Sequence, residues 1–162
     1  MCQNKIALSL HTSTEVLQDE NNMQKALHAI TYFKKGEVIS KFCAGVTMSY
    51  ATYLTVQVGP HTHITLQPEH LQYINHSCDP NVFFDTTSME LSALKDIEPG
   101  EELSFFYPST EWDMAQPFVC NCKSDQCLQL VKGAAYLSKA TLSRYQFTNF
   151  INEQLQPQKQ KL

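Results

Sequence analysis

The sequence is poor in charge and has no surplus of positive residues. Only 17% of its 162 residues are charged, and the net charge is −4. With a pI near 5.8, the chain lacks the broad basic face that would hold nucleic acid, so no direct nucleic-acid binding is expected and a basic partner suits it better. It opens on no positive region followed by a continuous apolar run, and no window reaches the length of a membrane span. The expected location is therefore intracellular, cytoplasmic or nuclear, with no membrane partner. No run of Lys or Arg marks nuclear import, which leaves both compartments open. Internal repeats and low-complexity stretches are also absent.

What is present is enough for a buried core: 43% of the residues are hydrophobic and 10% aromatic, within the length of one domain and a modest appendage. Lys5 to His11 alternates apolar and polar and predicts a half-buried strand, Glu15 to Gln24 a loop, and Ala26 to Phe33 a strand. The Lys34-Lys35-Gly36 turn then leads into Glu37 to Phe42, expected to be its neighbour. Tyr53 to Val58 and His63 to Leu66 read as two strands joined at Gly59-Pro60. Further strands are expected over Asn81 to Asp85, Met89 to Asp96 and Glu102 to Tyr107. Many short strands with frequent turns indicate a mainly β fold. Only Leu137 to Leu155 reads as a helix, with Phe147, Ile151 and Leu155 at four-residue spacing. The Gln- and Lys-rich tail from Gln156 is expected to fray.

Three stretches carry chemistry. Tyr73-Ile74-Asn75-His76-Ser77-Cys78-Asp79-Pro80-Asn81 is polar but flanked by apolar runs, so the chain is expected to pass through the protein here. Its Asn, His, Ser and Asp side chains can satisfy backbone that lacks ladder partners. Read alone, the segment is equally an Asx or Pro turn. Pro99-Gly100-Glu101-Glu102-Leu103-Ser104-Phe105-Phe106-Tyr107 follows, with Glu101 and Glu102 read as turn and surface residues. Then come Cys120, Cys122 and Cys127, clustered where Cys2 and Cys43 are isolated. In a reducing compartment, clustered thiols point to metal more than to disulfides. Three thiolates are one short of a tetrahedral set. His61 and His63 lack a third ligand nearby and read as hairpin or surface residues.

In this order the three stretches resemble the SET-domain family of protein-lysine methyltransferases with a post-SET tail. Lys34-Lys35-Gly36-Glu37-Val38-Ile39 extends the likeness upstream. The resemblance implies a fold of small curved β-sheets with a threaded, knot-like segment, a zinc-binding tail and a C-terminal helix. It divides the chain into a SET domain over 1–112, a post-SET segment over 113–133 and a C-terminal extension over 134–162. It implies an S-adenosyl-L-methionine-dependent transfer to a lysine of a protein substrate, with Tyr107 as the catalytic residue. Lys25, Ala26, Asn75, His76, Tyr107 and Phe118 would lie at the methyl donor, and Cys78 would join Cys120, Cys122 and Cys127 around a structural zinc. Two departures stand out. The family's Gly-x-Gly is replaced by Gln24-Lys25-Ala26, whose β-carbons obstruct close approach of a ligand to the backbone. This leaves two other readings of the scaffold, a small-molecule reaction or a non-catalytic binding module. The Tyr-Asp that precedes the family's final Tyr is here Phe105-Phe106.

Overall fold

The computed structural model describes residues 5–159. Cys2 and the last three residues of the tail lie outside that range. Thirteen short strands and two helices follow one another: β1 (Lys5–Leu10), β2 (Thr14–Asp19), β3 (Lys25–Ala29), β4 (Val38–Lys41), β5 (Cys43–Met48), β6 (Thr55–Gly59), β7 (Thr62–Gln67), β8 (Asn75–His76), β9 (Val82–Asp85), β10 (Glu90–Ala93), β11 (Ser104–Phe105), β12 (Phe118–Val119), β13 (Leu130–Val131), α1 (Lys139–Leu142) and α2 (Asn149–Lys159). They form sheets of order β1-β2-β3, β4-β10-β9 and β5-β7-β6, with two-stranded pairs β8-β11 and β12-β13. The mainly β architecture with a C-terminal helix is as the sequence implies. No helix of the described residues is long and apolar enough to cross a membrane.

Several local expectations are corrected. The polar stretch from Glu15 is not a loop: β2 is the central strand of its sheet, with Thr14 and Val16 buried and Glu15 facing out. The polar outer face hid its two-residue period. β1 is exposed along its whole length, because it sits at the edge of the sheet and pairs with β2 alone. β3 and β4 are not neighbours. After β3, Phe33 exchanges hydrogen bonds with Ile97, and Gly36, at a φ of 84°, donates to the Ala93 carbonyl, which carries β4 onto β10 in another sheet. β5 was not foreseen.

The anticipated helix over Leu137 to Leu155 is two helices, broken at residues 143–148. Ser138 caps α1 by accepting from the Thr141 N–H, and the Thr148 hydroxyl accepts from Ile151 N–H in the first turn of α2. Phe147, Ile151 and Leu155 do share a buried face, packed with Phe106 and Phe150. The tail stays helical through Lys159, where fraying was expected.

The main core, with Leu27, Phe84, Leu91, Ile97 and Leu103 fully buried, joins the three larger sheets. Against it lies the threaded segment. β8 pairs in parallel with β11, and the Ser77 N–H donates to the Phe105 carbonyl at 3.0 Å. Where the ladder stops, Asn81 replaces it: its Nδ2 donates to the Glu102 carbonyl and its Oδ1 accepts the Ser104 N–H, both at 2.8 Å. Asn81→Ala would leave both partly buried backbone groups without their protein partner, and is expected to lower unfolding free energy by roughly 1–3 kcal/mol in urea denaturation. A loss within 0.5 kcal/mol, about the level of a surface change, would refute this role.

Candidate active site

The knot and the strand beside it bring the sequence-predicted residues to one place. Asn75, His76, Tyr107 and Phe118 line a single cavity of about 640 Å³, with Cys120 and Cys122 in its wall. On its other side lies a second cavity of about 310 Å³, framed by Leu54, Val56, Leu71, Ile74 and Phe105. Tyr107 and Phe118 line both. These two rings meet edge-on, 5.9 Å apart, and His76 packs its edge against each, at 5.2 and 5.5 Å.

Tyr107 ends the strand because Pro108 turns the chain into a 3-10 turn over residues 107–109. Its hydroxyl donates to the Ile74 carbonyl at 3.4 Å, and its backbone N–H donates to Nδ1 of His76 at 3.2 Å. Burial, reinforced by the Glu102 charge, pushes the phenol up to about 12. Burial also pushes His76 down to about 4, so the imidazole is neutral. With Nδ1 accepting, the ring proton sits on Nε2, 3.3 Å from Cys78 Sγ, and the ring donates to the sulfur. A continuous chain of bonds thus runs from Tyr107 through His76 to Cys78.

The sulfur atoms of Cys78, Cys120, Cys122 and Cys127 all lie within 4.8 Å of one another. A tetrahedral zinc with bonds of about 2.3 Å needs sulfurs about 3.8 Å apart, so small side-chain shifts would suffice. Burial raises the thiols of Cys78 and Cys120, the latter to about 11, while burial at Cys122 is outweighed by hydrogen bonds that bring it to about 7. Four sulfurs this close, two of them buried and two half-buried, can all be thiolates only around a cation. His61 and His63 belong to no cluster of three or more ligands among the described residues.

Lys25 and Ala26 do not line the large cavity. Ala26 is buried in β3, and Lys25 contributes its carbonyl, which accepts from Asn75 Nδ2 at 3.0 Å. Gln24 lines the cavity instead. The same Asn75 amide donates to Glu102 Oε1 at 3.0 Å, so Glu102 is exposed yet belongs to the cavity wall. The sequence offered no sign of that, because neighbouring glutamates in a turn look alike. Phe106 stacks flat on Tyr145 at 3.7 Å, and the Tyr145 hydroxyl donates to the Cys78 carbonyl at 2.7 Å. These contacts hold the turn between α1 and α2 against the threaded segment.

The SET domain model matches residues 24–108. Methyltransferase flvH of Aspergillus flavus is 38% identical over 133 residues, covering 81% of this chain and 74% of that protein. Histone-lysine N-methyltransferase SMYD3 of Homo sapiens is 33% identical over 99 residues, covering 60% of this chain and 20% of the relative. In fold, the chain is similar to KRYPTONITE as solved in complex with mCHG DNA and SAH, with a TM-score of 0.52 at 21% identity over 65% of this chain and 26% of that one. With the SET domain matched over more than half of the chain and a methyltransferase 38% identical across most of both chains, the chain belongs to the SET-domain family of methyltransferases.

Proposed function

We propose that this chain transfers a methyl group from S-adenosyl-L-methionine to a lysine side chain of a protein. The observation that carries the reading is the pair of cavities sharing Tyr107 and Phe118 as their common wall. Donor and acceptor can then approach one line from opposite sides, which positions them without water between. The larger cavity has the volume of a cofactor site. The donor would supply a methyl group carried on a sulfonium. Asn75 and Glu102 offer an amide and a carboxylate for its amino-acid end, and the aromatic faces of Tyr107 and Phe118 suit its positive charge.

Lysine is charged near neutral pH, with an ordinary pKa near 10.4, and must be neutral to attack. Tyr107, held as a phenol by burial, orients the amine as a hydrogen-bond partner and takes no proton. Phe105 removes a second hydroxyl from that wall and leaves an apolar surface beside Tyr107, their rings 4.7 Å apart. The residues 113–133 act as the zinc-holding segment, with Cys78, Cys120, Cys122 and Cys127 as ligands. Such a site is closed and structural, since no position remains for water.

Calorimetry with S-adenosyl-L-methionine, followed by mass spectrometry of a lysine-rich protein incubated with both, tests the reading. Binding at micromolar affinity and a methyl-mass increment on lysine are expected. A second reading, a small-molecule acceptor, is favoured by the short segment between Met48 and Gln72, which holds only β6, β7 and most of a 3-10 turn. Donor binding with transfer to free amines and none to protein would select it. Absence of donor binding would leave a non-catalytic module.

A further inference from the structure

The smaller cavity has apolar walls and one ionisable acid, Glu111. This residue is 8% exposed. Its Oε1 accepts the Gln57 N–H at 2.9 Å and the Thr110 hydroxyl at 3.4 Å. Its backbone is pinned on both sides, the N–H donating to the Tyr107 carbonyl and the carbonyl accepting from Ala134 N–H. Gln57 is fixed in turn, its Oε1 accepting the Trp112 N–H at 3.0 Å. Among the described residues Oε2 has no hydrogen-bond partner and is not among the sealed, unpartnered polar atoms, and Glu111 is part of the cavity lining. Ion pairs among the described residues join Lys41 to Glu90 and Lys95 to Asp79, and neither involves this carboxylate. A buried acid held so rigidly, with one oxygen free and no ion pair among the described residues, can ionise there only when a cation is brought to it.

We propose that Glu111 is a specificity-determining residue of the substrate-side cavity, holding the ammonium group of a primary-amine substrate against its free Oε2. This rests on the reading that the smaller cavity admits the methyl acceptor. Neutral alkyl chains of the same length can fill the apolar walls but leave the acid unpaired, which is the basis of selection for the amine.

A consequence in protons follows. Burial pushes Glu111 up to about 8, only partly offset by the Gln57 N–H and the Thr110 hydroxyl. Near pH 7 the empty cavity therefore holds a protonated carboxyl, and docking an ammonium drives that proton off. The other titratable groups on the elements around it are Tyr53 and Tyr107 in the cavity wall and His63, which faces Gln57 across the β6–β7 pair. No charged side chain acts on Glu111. Amine docking should tighten as pH rises towards 8.

The test uses the full chain without methyl donor, titrated calorimetrically with n-pentylamine and with n-pentanol at pH 7 in two buffers of different ionisation heat. Wild type is expected to bind the amine about tenfold more tightly than the alcohol, roughly 1.4 kcal/mol, with a heat that depends on the buffer. Glu111→Gln keeps the acceptor for Gln57 and is expected to lose both the preference and the buffer dependence. Equal binding of amine and alcohol to wild type, no binding of the amine, or a preference surviving Glu111→Gln would overturn the proposal. Should that variant fold poorly, the ¹³C carboxyl resonance of Glu111 in wild type decides: it moves with pentylamine and stays with pentanol, and an unmoved resonance is contrary. Because no donor is present, failure of methyl transfer would remove the functional reading and leave amine docking standing.

Discussion

Cys78→Ser is expected to drop bound zinc from about one ion per chain to well below half, and to make residues 113–133 exchange amide hydrogens fastest while the main core stays protected. The reason lies in what else could hold that segment. Its fully buried partners are few: Cys78, Cys120 and Val131 form the cluster, with Met114, Phe118 and Leu128 only partly covered. So small a core cannot offset the ordering of about twenty residues at roughly 1–2 kcal/mol of backbone entropy each. A structural zinc in a small site contributes roughly 10–16 kcal/mol of apparent binding free energy, which is folding free energy when no preformed site exists. The loss should also reach the catalytic wall, since His76 bridges Cys78 to the Tyr107 backbone. Metal analysis that finds zinc undiminished in the variant, or sub-stoichiometric in wild type, would defeat the four-cysteine site.

Tyr107→Phe removes one hydroxyl and keeps the ring, its packing against His76, Phe105 and Phe118, and the fold. Methyl transfer is expected to fall on the order of 10²–10³-fold, the scale set by deleting one preorganised hydrogen-bond partner at a reacting centre. Donor affinity should change little, because the aromatic wall is intact. The hydroxyl is held by the Ile74 carbonyl and stays protonated through burial, so its effect is one of orientation and its removal should not shift the pH dependence. A rate within threefold of wild type, or a donor affinity that falls as far as the rate, would remove Tyr107 from the catalytic role.

Legibility followed chemistry. The stretch holding Asn81, His76 and Cys78 could be singled out because polar, metal-binding residue types stood together between apolar runs, and the structure gives each a partner, Ser104 N–H for Asn81, Tyr107 N–H for His76 and Leu128 N–H for Cys78. β2 was not legible, since a strand with polar residues on its outer face shows half a period against a noisy background, and β5, small and apolar yet exposed, shows no alternation at all. The break between α1 and α2 was equally hidden: Tyr145 leaves the helix to stack on Phe106 and reach the Cys78 carbonyl, contacts that span 39 and 67 positions (145 − 106 and 145 − 78).

From residue order alone came the mainly β class, the family and the list of residues worth placing, because these depend on local spacing and on the chemistry of side chains. Only the tertiary structure decided that Lys25 and Ala26 stand back from the cavity while Gln24 and Glu102 line it, that Phe106 stacks on Tyr145, and that Glu111 lines the smaller cavity with no ion pair among the described residues. Each of those depends on which distant segment covers a side chain. Burial and pairing are set by contacts between segments, and no local pattern encodes them.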